Sequence, residues 1–160
     1  MERLWAPWRM AYIEESTSAE PEGCIFCDKP AAGDDEGNLI VARAGRAFVM
    51  LNAFPYNPGH LLVAPFRHAA DLDDLEPEDA AEASQLLARA VRALKDATSP
   101  DGFNIGMNLG RVAGAGVPGH VHWHVVPRWN GDTNYMATVG ETRVLPEMLH
   151  DTYAKLVTRF

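Results

Sequence analysis

Two periodicities divide the chain. Between residues 75 and about 97, apolar side chains recur at Ala83, Leu86, Leu87, Ala90, Val91 and Leu94, the i, i+3, i+4 spacing that gives a helix one apolar stripe to lay against a sheet. Pro77 suits the first turn, where its missing N–H leaves no helical bond unmade, and Glu76, Glu78 and Asp79 suit the positive end of the helix dipole. Arg89, Arg92 and Lys95 then form a solvated face. Elsewhere the pattern is that of strands. Residues 39–43 and 47–52 predict two strands joined by a hairpin turn at Ala44-Gly45-Arg46. Residues 52–59 form a rigid loop, in which Pro55 and Pro58 fix φ and Gly59 permits close backbone approach. A strand follows from His60 and is stopped by Pro65. Residues 102–108 form another strand, 109–119 a glycine-rich loop, and from residue 120 histidine alternates with Val121, Trp123 and Val125. Residues 130–138 are a loop, and 145–157 a terminal helix with Leu145, Met148, Leu149 and Leu156 facing inward and His150 exposed. This order predicts an α+β fold: an antiparallel β-sheet with one long packed helix and a C-terminal helix.

Composition bounds the rest. The 160 residues, 47% hydrophobic and 22% charged, suit one ordered domain. Residues 24–160 are expected to form it, behind an arm and linker over 1–23. Leu4, Trp5, Trp8, Met10, Tyr12 and Ile13 make that arm costly to expose, so it should dock on the domain or on a second subunit. No apolar run reaches the roughly 18 residues of a membrane span, and the first residues lack the basic and apolar segments of a secretory signal. With two cysteines in all, these features predict a reducing, cytoplasmic setting. A net charge of −8 argues against a nucleic-acid polymer as partner. A small anion remains compatible, because it needs only a few N–H donors and one or two cations in a cleft.

Chemistry concentrates in residues 118–128, Pro-Gly-His-Val-His-Trp-His-Val-Val-Pro-Arg. Alternation places His120, His122 and His124 on one face of a strand, about 6.5–7 Å apart. Half of the six histidines on three alternate positions marks a chemical site, not an incidental polar face. The three imidazoles could ligate a metal, hold an anion or act covalently. A catalytic zinc on all three would make the protein a metallohydrolase, but a straight strand spreads the donors too widely for that unless the backbone bends. Cys24-Ile-Phe-Cys27 supplies half of a tetrahedral metal site or a redox pair. His68 and His120 could complete a closed, structural zinc site, and an apolar patch with reduced thiols is the plainer alternative. Gly110, Gly114, Gly116 and Gly119 open backbone N–H groups to an anion immediately before the histidines.

The run His120-Val-His122-Trp-His124-Val-Val resembles the His-x-His-x-His-x-x signature of the histidine triad (HIT) superfamily of nucleotide hydrolases and transferases. The resemblance extends to Leu51-Asn52, to Asn57-Pro58-Gly59-His60-Leu-Leu-Val-Ala-Pro65, and to Asn108-Leu-Gly110 with Ala113-Gly114-Ala-Gly116. The opening Arg3-Leu-Trp-Ala-Pro-Trp-Arg-Met and the segment Pro127-Arg-Trp129-Asn-Gly-Asp132 are similar to the bacterial branch that resembles diadenosine tetraphosphate phosphorylases and fragile-histidine-type dinucleoside polyphosphate hydrolases.

The resemblance implies a HIT-like fold, commonly a symmetric homodimer, and many bacterial proteins of this kind carry zinc on a set like Cys24, Cys27, His68 and His120. It implies nucleotidyl transfer at an α-phosphate, with AMP carried on His122. One ring nitrogen of His122 would attack while the other donates, most simply to a backbone carbonyl. His124 would hold phosphate oxygens or help the leaving group, and His60 would support the cluster. Asn52 matches the ribose-contacting position, while Asn108, Gly114 and Gly116 would contact phosphate. Water as acceptor gives a hydrolase and inorganic phosphate a phosphorylase. Fragile-histidine-type hydrolases carry glutamine where this chain has Gly116, which weakens the hydrolase expectation and leaves phosphorolysis open. A noncatalytic nucleotide-binding module with the same fold remains the alternative from another class.

Overall fold

A computed structural model of the protein describes residues 23–132 and 147–160. The aromatic arm, residues 133–146 and Leu145 among them lie outside the described residues. The elements are α1 (Ile25–Ala31), β1 (Ile40–Arg43), β2 (Ala47–Leu51), β3 (Leu61–Pro65), α2 (Pro77–Thr98), β4 (Gly102–Gly106), β5 (Trp123–Arg128) and α3 (Leu149–Val157), with a short 3-10 turn at Arg111–Ala113. The strands form one sheet in the order β1-β2-β3-β5-β4, and every neighbouring pair is antiparallel. This is the expected α+β arrangement.

The alternation of each strand assigns its residues to two faces. Val49 and Leu51 of β2, Leu61 and Val63 of β3, and Val125 of β5 pack against Ala83, Leu86, Ala90 and Leu94 of α2. Tyr153 and Leu156 of α3 close that core. On the opposite face Ile40, Phe48, Met50, Leu62 and Ala64 are covered by Phe26 of α1. α1 is short, so the same face stands open beside β4, where Asn104 and Gly106 are exposed.

Three expectations shift and one element is added. The segment around the two cysteines is a helix, α1, which the spacing of the thiols alone does not predict. β5 begins at Trp123, so His120 and His122 precede the strand and only His124 lies within it. The ladder stops there for a covalent reason. Leu61, Leu62 and Val63 face Val125, His124 and Trp123, so Pro65 would face Val121 and has no N–H to give. The Val121 N–H donates instead to the Ala69 carbonyl, at 2.7 Å. Met148 is 74% exposed, because α3 starts after it and the inward stripe runs through Thr152, Tyr153 and Leu156. Arg89 is more than a solvated charge: it donates to the Phe160 carbonyl at 2.5 Å and lies over that residue's ring.

Gly59 ends the rigid loop with φ +77°, and a Cβ added there would meet Leu94 Cδ2 of α2 at 2.9 Å. Gly59→Ala should therefore destabilise the protein by at least the roughly 1–2 kcal/mol of a left-handed residue. Gly102→Ala, where nothing lies within 4 Å, should stay within about 0.5 kcal/mol of the parent. Urea midpoints measure both, and equal midpoints for the two variants would refute the packing constraint at Gly59.

Candidate active site

The histidines sit on the α1 side of the sheet, held by the backbone. His122 is buried, and its ring lies 4.6 Å from that of Phe26. Its Nδ1 is 2.8 Å from the His120 carbonyl. A carbonyl only accepts, so Nδ1 carries the proton and Nε2 keeps its lone pair. Burial holds the His122 pKa below the ordinary histidine value, partly offset by that bond. His60 is fully buried, with Nε2 2.9 Å from Nδ1 of His124. The Tyr56 ring lies 4.7 Å from that of His60 and stacks on His124 at 5.9 Å. Burial, and then the neighbouring His122, pushes the His124 pKa down to about 4.

Cys24, Cys27, His68 and His120 come together, with one ligand atom from each lying within 4.8 Å of all the others. Nδ1 of His120 is 3.3 Å from Cys24 Sγ and 3.6 Å from Cys27 Sγ, and Nδ1 of His68 is 3.4 Å from Cys27 Sγ. Zinc–sulfur bonds near 2.3 Å and zinc–nitrogen bonds near 2.0–2.1 Å make tetrahedral S···N edges of about 3.5 Å, so the four donors fit one such ion. His120 is prepared as a ligand. Its Nε2 donates to the Pro65 carbonyl at 2.9 Å, which leaves Nδ1 bare toward the thiols and fixes the ring. Burial pushes the Cys27 thiol up to about 11, helped by Cys24 and Asp28, a penalty that a bound cation would reverse. The three triad rings do not converge on a metal of their own: His120 faces the thiols and Pro65, His122 the His120 carbonyl, and His124 faces His60.

Beside His124 a cleft of about 670 Å³ runs along β4 and β5, lined by Val126 and Arg128 of β5 and by Asn104 and Gly106 of β4. Asn108 lines it and donates to the Gly114 carbonyl at 3.3 Å. Gly114 adopts φ +90°, and its N–H donates to Arg111 at 2.9 Å, so this glycine closes the turn while Gly116 lies exposed beyond it. Asn52 lies at the other side, against His60 and the 52–60 loop. Arg128 forms a two-pronged pair with Asp132, at 2.5 and 2.8 Å, and Asn57 also donates to Asp132. Three supporting groups lay beyond sequence reasoning: Phe26, the Tyr56 main chain and the Pro65 carbonyl. Phe26 alone left a signal, as the large apolar residue between the cysteines. His150 is exposed as expected, paired with Glu36.

Residues 36–131 match the HIT domain. The chain is 41% identical to a Mycobacterium tuberculosis protein named AP-4-A phosphorylase, over all of this chain and 85% of that one. Among solved structures, a zinc-bound histidine triad family protein from Mycobacterium smegmatis superposes with a TM-score of 0.69 at 29% identity, covering 90% of this chain and 94% of that one. A hypothetical histidine triad nucleotide-binding protein from Sulfolobus tokodaii gives the same TM-score at 25% identity, covering 85% and 91%.

The depressed His124 pKa ties stability to acid. Its folded-state value of about 4 lies below the unfolded 6.5. As pH falls through that interval the unfolded chain gains a proton that the folded one refuses, so the native state loses stability. His120 and His122 are shifted in the same direction, each mainly by burial. Thermal melts of metal-free protein should hold steady above about pH 6.5 and fall below it, and His124→Asn should fall less steeply. An identical slope in that variant would show that His124 does not contribute.

Proposed function

Because this chain belongs to the histidine triad family, we propose that it cleaves dinucleoside polyphosphates of the diadenosine tetraphosphate class at the α-phosphate, through AMP carried on His122, with inorganic phosphate as acceptor. What makes the chemistry available is the bond from His122 Nδ1 to the His120 carbonyl, which presents Nε2 as a lone pair. In the first step Nε2 attacks the α-phosphorus, a P–N bond forms, and the P–O bond to the remaining polyphosphate breaks with its electron pair. With diadenosine tetraphosphate the departing group is ATP, which leaves as an anion and requires no proton. The imidazole gains positive charge, and its Nδ1–H stays against the carbonyl, where that charge is stabilised. In the second step phosphate attacks, the P–N bond breaks, and its electrons return to Nε2, giving ADP. Water in the same place would give AMP.

His124 donates to the phosphate oxygens, and Asn108 with the Gly114 and Gly116 turn borders the same space. Phosphate is favoured over water by the name of the M. tuberculosis relative and by Gly116, where the hydrolase glutamine is missing. In this reading Cys24, Cys27, His68 and His120 hold one zinc ion, whose contribution is to fix the start of the histidine segment. Residues 24–160 act as a single domain in the cytoplasm. The exposed edge of β4 offers a second copy a surface on which to build the expected homodimer.

Enzyme mixed with diadenosine tetraphosphate and quenched in alkali, which spares phosphoramidates, should yield protein heavier by one AMP. His122→Asn should form no adduct and lose several orders of magnitude in rate. Turnover within about tenfold of the parent, about 1.4 kcal/mol, would exclude His122 as nucleophile. With phosphate present the products should be ADP and ATP, and AMP in place of ADP would make the protein a hydrolase.

For the metal, purified protein should hold about one zinc per chain. Cys24→Ser should lose it and melt at a lower temperature, since metal-binding energy is also folding energy. Stoichiometric zinc in the Cys24→Ser, Cys27→Ser double variant would refute the site.

A further inference from the structure

His122 and His124 are two imidazoles with ring centres 5.1 Å apart, and position alone does not say why one attacks phosphorus and the other donates to it. Their protons do. His122 has its proton on Nδ1, held by a carbonyl. For His124 the assignment runs through His60. The Tyr56 main-chain N–H lies 3.1 Å from His60 Nδ1. A backbone N–H can only donate, so His60 Nδ1 is an acceptor. The Asn52 side chain reinforces this. Its Oδ1 accepts the Phe54 N–H at 2.9 Å, which fixes the orientation of the amide and turns its NH₂ toward His60 Nδ1, 3.3 Å away. With Nδ1 accepting, the proton of His60 is on Nε2, and it is donated across 2.9 Å to His124 Nδ1. The proton of His124 is then on Nε2.

We propose that Asn52, with the Tyr56 amide, is a positioning residue that sets the tautomer of His60 and through it that of His124, so that His124 offers an N–H where His122 offers a lone pair. Adjacent histidines thus carry opposite tautomers, and this relay keeps the second imidazole from competing as a nucleophile. The role differs from the ribose contact expected for Asn52. Asn52 acts at a distance, through His60, and does so whether or not a nucleoside is bound. The activity consequences rest on the proposed nucleotidyl transfer, whereas the proton positions do not.

The test is nitrogen NMR of protein labelled with ¹⁵N-histidine, with signals assigned from His60→Gln and His124→Gln. In the parent, His60 and His124 should show the Nε2–H pattern and His122 the Nδ1–H pattern. Asn52→Leu removes the side-chain donor, leaves the Tyr56 N–H on His60 Nδ1, and should move the His60 and His124 nitrogens part of the way toward values averaged between tautomers. Its kcat should fall roughly tenfold to a hundredfold with KM little changed, the scale of a misplaced donor to the developing charge. Asn52→Asp, whose carboxylate accepts and cannot donate, should place a proton on His60 Nδ1. The kcat loss should be the same on a dinucleotide lacking the ribose hydroxyls.

A parent His60 or His124 protonated on Nδ1 overturns the relay. So do unchanged spectra in both Asn52 variants, or a loss confined to substrates that carry ribose hydroxyls. If Asn52→Leu does not fold, the parent and Asn52→Asp spectra still decide. A parent enzyme that turns over no dinucleoside polyphosphate would defeat the proposed function, while the spectra would still decide the proton positions.

Discussion

The bond from His122 Nδ1 to the His120 carbonyl is the one on which the rest of the site depends, and it is only as well placed as His120. That residue is held at three points. Its ring nitrogens face the Pro65 carbonyl on one side and the two thiols on the other, and its backbone carbonyl receives His122. A single hydrogen bond is worth about 1 kcal/mol net, too little to hold a ring against thermal motion by itself. The cross-links of His120 to β3 and to the start of α1 convert that weak bond into a fixed geometry. The Cys24, Cys27, His68 and His120 cluster and the seat of the His122 ring therefore share a residue, and whatever loosens the first misplaces the second.

Burial gives this arrangement its chemistry and its cost. Phe26 lies against both His120 and His122, and the low dielectric around them disfavours the charged imidazole. An imidazole that stays neutral near pH 7 is the gain. The cost is several polar rings in a core, which is bearable only when their nitrogens are paired. The structure meets that condition with main-chain groups: the carbonyls of Pro65 and His120 and the N–H of Tyr56. Main-chain partners are set by the fold, so they fix the His120 and His122 rings directly, while His124 is reached only through the side chain of His60.

Much of this was legible in the sequence, for reasons that differ from part to part. The strands and the long helix follow from hydrophobic period, which burial enforces directly. The metal cluster was accessible because cysteine and histidine have few other reasons to occur at such spacing. The start of β5 was not, since alternation continues through His120 and His122 although hydrogen bonding does not. Only knowledge that Pro65 faces Val121 would have placed that boundary. Met148 failed for a related reason: the phase of a helical stripe depends on where the helix begins, and the sequence carried no clear cap there. A backbone carbonyl as partner of His122 was anticipated, but the tautomers of His60 and His120 were not, because they depend on the Tyr56 N–H and the Pro65 carbonyl, which no side-chain pattern encodes.

The division of the sheet into two faces explains how a chain of this size carries both a core and a reactive site. α2 and α3 cover one face and bury Leu61, Val63 and Val125, while α1 covers only part of the other, leaving the cleft beside His124. A strand in such a sheet serves both sides at once. In β5, Val125 stabilises the fold while His124, one residue earlier and pointing the opposite way, faces the cleft. A register slip of one residue would exchange them, placing the imidazole in the core and the valine in the site. The pairing of Leu62 with His124 and of Leu61 with Val125 is thus a constraint on the chemistry as much as on the fold. The loop ending at Gly59 ties down the residue before β3: the His60 N–H donates to the Asn57 carbonyl at 3.1 Å and the His60 carbonyl accepts the Asn52 N–H at 2.9 Å.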